Sequence, residues 1–175
     1  NSAPRNGDFS SSTGQILIVP PWYENLGKRL IKSPKVYIAD SGMACHLLRI
    51  DTAVELEKSP FLGALFEGFI ASEVVKAQVN AGRRRELYWF RDQQGLEVDF
   101  VVPEKGGAIR LIEAKSSRTV TPDMAAPMRR LAAAFDKRPG ARRPVEMQLV
   151  YRPSRWPELA RAVAPGVQAL SWQEF

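Results

Sequence analysis

Three short runs rich in β-branched and aromatic residues follow one another in this chain: "ELYWFRD" (86–92), "LEVDFVV" (96–102) and "AIRLIEAK" (108–115). Gln94-Gly95 and Lys105-Gly106-Gly107 supply the turns between them. A helix precedes them. Ser59-Pro60 opens it, Leu62, Leu65, Phe66, Phe69, Ile70, Val74 and Ala77 recur at three- and four-residue spacing over about 61–81, and Gly82 stops it. A second helix over about 121–136 and the strand "VEMQLVY" (145–151) follow. From residue 61 the order is therefore helix, three strands, helix, strand, which predicts an α/β fold with a mixed central sheet flanked by helices. A short helix "WPELARAV" and a last strand "VQALSW" complete the chain.

Upstream, residues 16–60 read as a lead-in to the 61–175 core. "QILIV" is extended, Pro20-Pro21 breaks it, and a strand runs from about Lys35 to Ala39. Asp40 or Ser41 then caps a short helix, "GMACHLLRI". Residues 1–15 contain almost nothing apolar and are expected to be a disordered leader.

Charges inside the apolar runs need an explanation, because charged side chains are seldom buried unless paired. Asp99 stands inside Val98–Val102, and Glu113 and Lys115 inside Leu111–Lys115. Alternation along a strand puts Glu113 and Lys115 on one face. A hairpin symmetric about Gly106 sets Asp99 opposite Glu113 and Glu97 opposite Lys115. Directly opposed like charges are destabilising, so two facing carboxylates call for a cation between them. Mg²⁺ suits, since it takes one or two carboxylates and completes its shell with water and phosphate oxygens. The spacing alone favours a solvent-facing hairpin whose charges keep it soluble.

The net charge of +6 and pI of about 9.7 favour an anionic partner such as DNA. Candidate backbone-binding cations are Arg83, Arg84 and Arg85, Lys137 and Arg138, and Arg142 and Arg143, with "KRLIK" (28–32) adding to them. One cysteine excludes an internal disulfide and fits a reducing cytoplasm. No apolar run approaches the roughly 18 residues of a membrane span. No GxxxxGK[ST] loop occurs, so no ATP site is expected in this chain.

The helix with Glu67, then Asp99, then Glu113-x-Lys115, resembles the core of the PD-(D/E)xK nuclease superfamily, a restriction-endonuclease-like fold. That resemblance implies Mg²⁺ (or Mn²⁺ in its place) held by Asp99, Glu113 and Glu67. It also implies that Lys115 orients or deprotonates the attacking water. Val98 stands where the proline of the family name would be. "PPWYENLGKRLIKSPKVYIADSGM", "GALFEGFIASEVVK", "YWFRDQQGLEVDFVV" and "IEAKSS" resemble the C-terminal domain of a large prokaryotic family of AAA-type ATPases. The chain is accordingly expected to be a fragment or stand-alone remnant of such a protein, or a partner of the ATPase. Two functions follow from different classes: Mg²⁺-dependent DNA hydrolysis, or a non-catalytic DNA-binding or docking module that retains the nuclease fold.

Other residues are weaker candidates. Glu73 lies six positions along the helix from Glu67 and well round its cylinder. Cys45 and His46 are adjacent and diverge, so Cys45 is expected to be a small core residue. Trp22, Trp89 and Phe90 are expected in the core rather than on nucleic acid.

Overall fold

Between residues 100 and 112 the hairpin forms in the register that symmetry about Gly106 requires. Phe100 pairs with Ile112, Val101 with Leu111, Val102 with Arg110 and Pro103 with Ile109. Gly106 and Gly107 adopt φ of 73° and 77°, a region costly for any side-chain-bearing residue, which is how so short a connection closes. The computed structural model describes residues 15–23, 33–136, 143–154 and 161–175.

The elements in chain order are β1 (Ile16–Val19), β2 (Lys35–Ile38), α1 (Ser41–Leu47), α2 (Ala53–Lys58), α3 (Leu62–Asn80), β3 (Tyr88–Arg91), β4 (Glu97–Pro103), β5 (Ile109–Lys115), α4 (Ala126–Asp136), β6 (Val145–Tyr151), β7 (Arg161–Ala164) and β8 (Val167–Ser171). Six strands make one mixed sheet in the order β3-β4-β5-β6-β8-β7. β3, β4 and β5 are antiparallel neighbours, whereas β6 lies parallel to β5, with α4 in the connection between them. β1 and β2 form a separate antiparallel pair. Its continuation, Pro20–Trp22, runs beside β3, with Trp22 N–H donating to the Trp89 carbonyl at 2.6 Å.

Alternation along the strands builds two cores. Val101, Leu111, Leu149 and Tyr151 pack with Met128, Leu131 and Phe135 of α4. Phe100, Val102, Ile112 and Val150 pack with Phe66, Ile70 and Val74 of α3, joined by Val19 of β1. Each such fully buried side chain contributes roughly 1.5–3 kcal/mol. The sheet is thus sandwiched between α3 and α4, and β5 has a strand on either edge.

Four expectations change. Residues 161–163 of the expected "WPELARAV" helix lie in β7, while 156–160 fall outside the described residues. Pairing with β8 across Gly166 (φ 75°) overrides the helical propensity of Ala and Arg. Helix α2 was not expected, although its signal was present: Thr52 and Glu55 form a capping box. The 121–136 helix begins as a 3-10 turn at Pro122–Ala125 before α4. Ala77 of α3 is exposed, and Gln78 is buried instead, its amide bonding the N–H and C=O of Glu86.

Candidate functional site

β4 and β5 deliver the acids. The backbone ladder between β4 and β5 ends at Phe100 and Ile112, and beyond it Asp99 meets β5 through its side chain. Ala114 N–H donates to Asp99 Oδ2 at 3.1 Å, so the carboxylate itself fastens the end of the hairpin. Lys115 Nζ donates to Glu113 Oε2 at 2.6 Å and lies 3.7 Å from Asp99 Oδ2, so the three groups converge. Because β5 is an interior strand, Glu113 is only 2% exposed, and Asp99 is 9% exposed. Among the described residues no donor reaches the buried Glu113 Oε1. Burial first, and then the Asp99 charge, raise the Glu113 carboxyl to about 8, against the opposing pull of Lys115.

A residue that the sequence reading did not single out lies at the other side of Asp99. Lys35 Nζ of β2 is 2.7 Å from Glu67 Oε1, 2.8 Å from Glu97 Oε1 and 3.5 Å from Asp99 Oδ1. Burial lowers its pKa, but Asp99, Glu67 and Glu97 together outweigh that and raise it. Tyr37, two residues along the same face of β2, donates its hydroxyl to the same Glu67 oxygen at 2.5 Å. Gly68 makes this approach feasible. A Cβ there would sit 3.3 Å from the Tyr37 ring, tighter than a relaxed contact, so glycine lets β2 lie close on α3.

Glu97 therefore pairs with Lys35, and with Arg91 at 3.3 Å, and not with Lys115 as its place in the register suggested. Four carboxyls (Glu67, Glu97, Asp99 and Glu113) face three cations (Lys35, Arg91 and Lys115). Among the described residues one negative charge is therefore left over, and burial disfavours ionisation of Glu113 even though it pairs with Lys115. A proton or a cation would neutralise it. Among the described residues no three carboxylates are grouped as metal ligands, since Glu67 is engaged by Lys35 and Tyr37. Asp99 and Glu113 with water fit Mg²⁺, which rarely demands an all-protein cage, and the donorless Glu113 oxygen supports that fit.

Among the described residues the basic clusters do not gather at the carboxylates. Arg83 is tied to Glu104 at 2.9 Å and to the Pro103 carbonyl at 3.3 Å. This anchor lies four residues along β4 from Asp99, roughly 13 Å of strand. Arg84 and Arg85 are exposed, and Arg143 stacks on the Phe135 ring. Lys137, Arg138, Arg142 and residues 28–32 lie outside the described residues. Arg83→Ala is therefore expected to lower stability by roughly 0.5–1 kcal/mol, while Arg84→Ala and Arg85→Ala leave melting unchanged. If the exposed pair contacts DNA backbone, the double Arg84/Arg85 variant should bind duplex more weakly, with a shallower salt dependence between about 50 and 200 mM. Binding curves that superimpose on wild type would remove this face from consideration.

The remaining candidates resolve simply. Glu73 pairs with Lys76 one turn on, away from the site. Cys45 is half-buried rather than core, because α1 buries only Ala44, and His46 is exposed. Trp89 and Phe90 are buried as expected, and Trp22 packs against the α4-side core. No helix among the described residues is long and apolar enough to cross a membrane.

Residues 62–155, which carry Glu67, Glu97, Asp99, Glu113 and Lys115, match the profile of a family described as a domain of unknown function (DUF4143). Residues 11–54, which carry Lys35 and Tyr37, match a second, also described as a domain of unknown function (DUF8612). An uncharacterized protein of Mycobacterium tuberculosis and one of Mycobacterium bovis are each 38% identical over 109 residues. The match covers 62% of this chain and 23% of each relative, so the chain corresponds to about a quarter of their length.

Proposed function

The chain belongs to the family described as a domain of unknown function, DUF4143, and from that premise we propose that it is a metal-dependent phosphodiesterase acting on DNA, with a restriction-endonuclease-like core. One observation carries the reading: Asp99, Glu113 and Lys115 converge while a buried Glu113 oxygen has no donor. Asp99 and Glu113 would hold Mg²⁺. When bound, the ion supplies an activated water and stabilises charge on the phosphate. Lys115 stays an ammonium, because Asp99 and Glu113 outweigh the burial that would lower its pKa. It therefore orients groups by donation and does not serve as a base in the metal-free protein. One N–H goes to Glu113, leaving donors for water or a phosphate oxygen. The proposed setting is beside an AAA-type ATPase, as the resemblance of the long sequence strings implies.

The test combines thermal melting, with and without about 5 mM Mn²⁺, and nicking of plasmid DNA. Wild type should melt higher with metal and nick DNA. Lys115→Ala should keep the metal-dependent rise in melting while nicking falls about 100-fold or more, the scale of a lost positioned proton donor. Neither a melting shift nor nicking in wild type would sink the proposal.

A docking module is the second reading, favoured by one surface. Val36, Ile38, Leu47, Leu48 and Phe61 are exposed around a single groove between β2, α1 and the start of α3. Exposed apolar surface of this kind suits a protein partner. This module would show neither metal binding nor nicking in the same assays.

A further inference from the structure

We infer that Lys35 occupies the place of a second divalent cation, so that the acidic centre takes one metal ion, between Asp99 and Glu113, and not two. The inference rests on the metal-dependent reading above and specifies its stoichiometry. Glu67 from α3 and Glu97 and Asp99 from β4 each bring an oxygen to the Lys35 ammonium, at 2.7, 2.8 and 3.5 Å. Spaced around the lysine they do not form a metal-ligand group, and they would have to draw inward to hold a hard divalent ion. The Lys35 ammonium fills the place between them with three donors and one positive charge. It is held there firmly: its Nζ lies 5.0 Å from the Trp89 ring centroid, and Tyr37 from the same strand grips the same Glu67 oxygen.

Asp99 is shared between this position and the next. Its Oδ1 faces Lys35, and its Oδ2 faces Lys115 and Ala114 N–H. On the Oδ2 side, Glu113 contributes a buried oxygen with no donor, so positive charge is still missing there. Two-metal phosphodiesterases place their ions roughly 3.5–4 Å apart around shared oxygens. Here one of two such neighbouring positions is filled by the protein's own lysine, and the other is short of a cation. The lysine also comes from a different part of the chain from the carboxylates. It lies in the segment 11–54, while all four acids lie in 62–155, which match separate families.

The experiment is titration of the full chain with Mn²⁺ at pH 8, counting bound ions by calorimetry and by the spin-resonance signal of free Mn²⁺. Wild type should bind one ion, Lys35→Met two, and Lys35→Met/Glu67→Gln one again. Far-UV dichroism and melting establish that each variant is folded, and Lys35→Gln replaces Lys35→Met if the latter is not. Two ions in wild type overturn the inference without reference to any variant. One ion in both wild type and Lys35→Met, at unchanged affinity, also overturns it and leaves the Asp99–Glu113 site standing. No ion in wild type but one in Lys35→Met overturns the assignment of the ion to Asp99 and Glu113. No binding in any folded variant sinks the metal-dependent reading and this inference with it.

Discussion

Metal-free protein is expected to lose stability as pH rises from about 4.5 to about 8, and Glu113→Gln is expected to lose much less. Glu113 carries the difference, because burial and the adjacent Asp99 raise its carboxyl from 4.5 to about 8 in the folded chain. Between those values the folded state keeps a proton that the unfolded state has released. The contribution to stability is therefore greatest below about 4.5, falls through the window and is level above about 8. At 1.36 kcal/mol per unit, the wild-type loss attributable to this one group is up to ~5 kcal/mol. The amide introduced by Glu113→Gln has no charge to desolvate, so the variant should melt above wild type at pH 8 and close to it near pH 4. Adding about 5 mM Mg²⁺ at pH 8 should raise wild type toward the variant, since a cation at Glu113 replaces the proton. The measurement is melting of both proteins across pH 4–9, reported as the difference between them. A difference that is flat with pH would mean that Glu113 is compensated by Lys115 alone.

Asp99→Ala should have the opposite sign and a comparable size. Asp99 accepts from Ala114 N–H and lies between two lysines, at 3.5 Å from Lys35 and 3.7 Å from Lys115. Its removal leaves a backbone donor without its acceptor at the end of β5 and takes from both lysines a shared counter-charge. Breaking a buried ion pair by deleting one partner costs about 3–5 kcal/mol. For a chain of this size that is a fall in melting temperature of roughly 6–20 °C. Asp99→Asn keeps an acceptor for Ala114 and should lose about half as much. Both should also abolish metal-dependent nicking. Asp99→Ala melting within a degree or two of wild type would show that the hairpin end is held by the strands alone.

The parts of this protein that depend on neighbours in sequence were legible. Strand alternation and a glycine turn are local properties. They led to the expectation of Glu113 and Lys115 on one face with Asp99 opposite Glu113, and the register from Phe100–Ile112 to Pro103–Ile109 follows the same count. The helical spacing of Phe66, Ile70 and Val74 likewise marked the face that α3 buries. β7 was misread because its Ala-rich sequence favours helix until β8 offers it a pairing edge.

What neutralises the acids was not legible. The sequence raised the expectation that Asp99 and Glu113 face each other around a cation, because that requirement is electrostatic and the expected geometry lies within one hairpin. It could not supply Lys35, which stands 32 residues before Glu67 and belongs to another strand pair. Nothing in "KSPKVYIAD" distinguishes that lysine from a solvated one. Only the tertiary structure, by laying β2 against α3 at Gly68, brought Lys35 and Tyr37 to Glu67 and left Glu113 with an oxygen to which no side chain donates. The physical reason is range: alternation and turns act over a few residues, whereas charge compensation is decided by which distant chains the packing brings together.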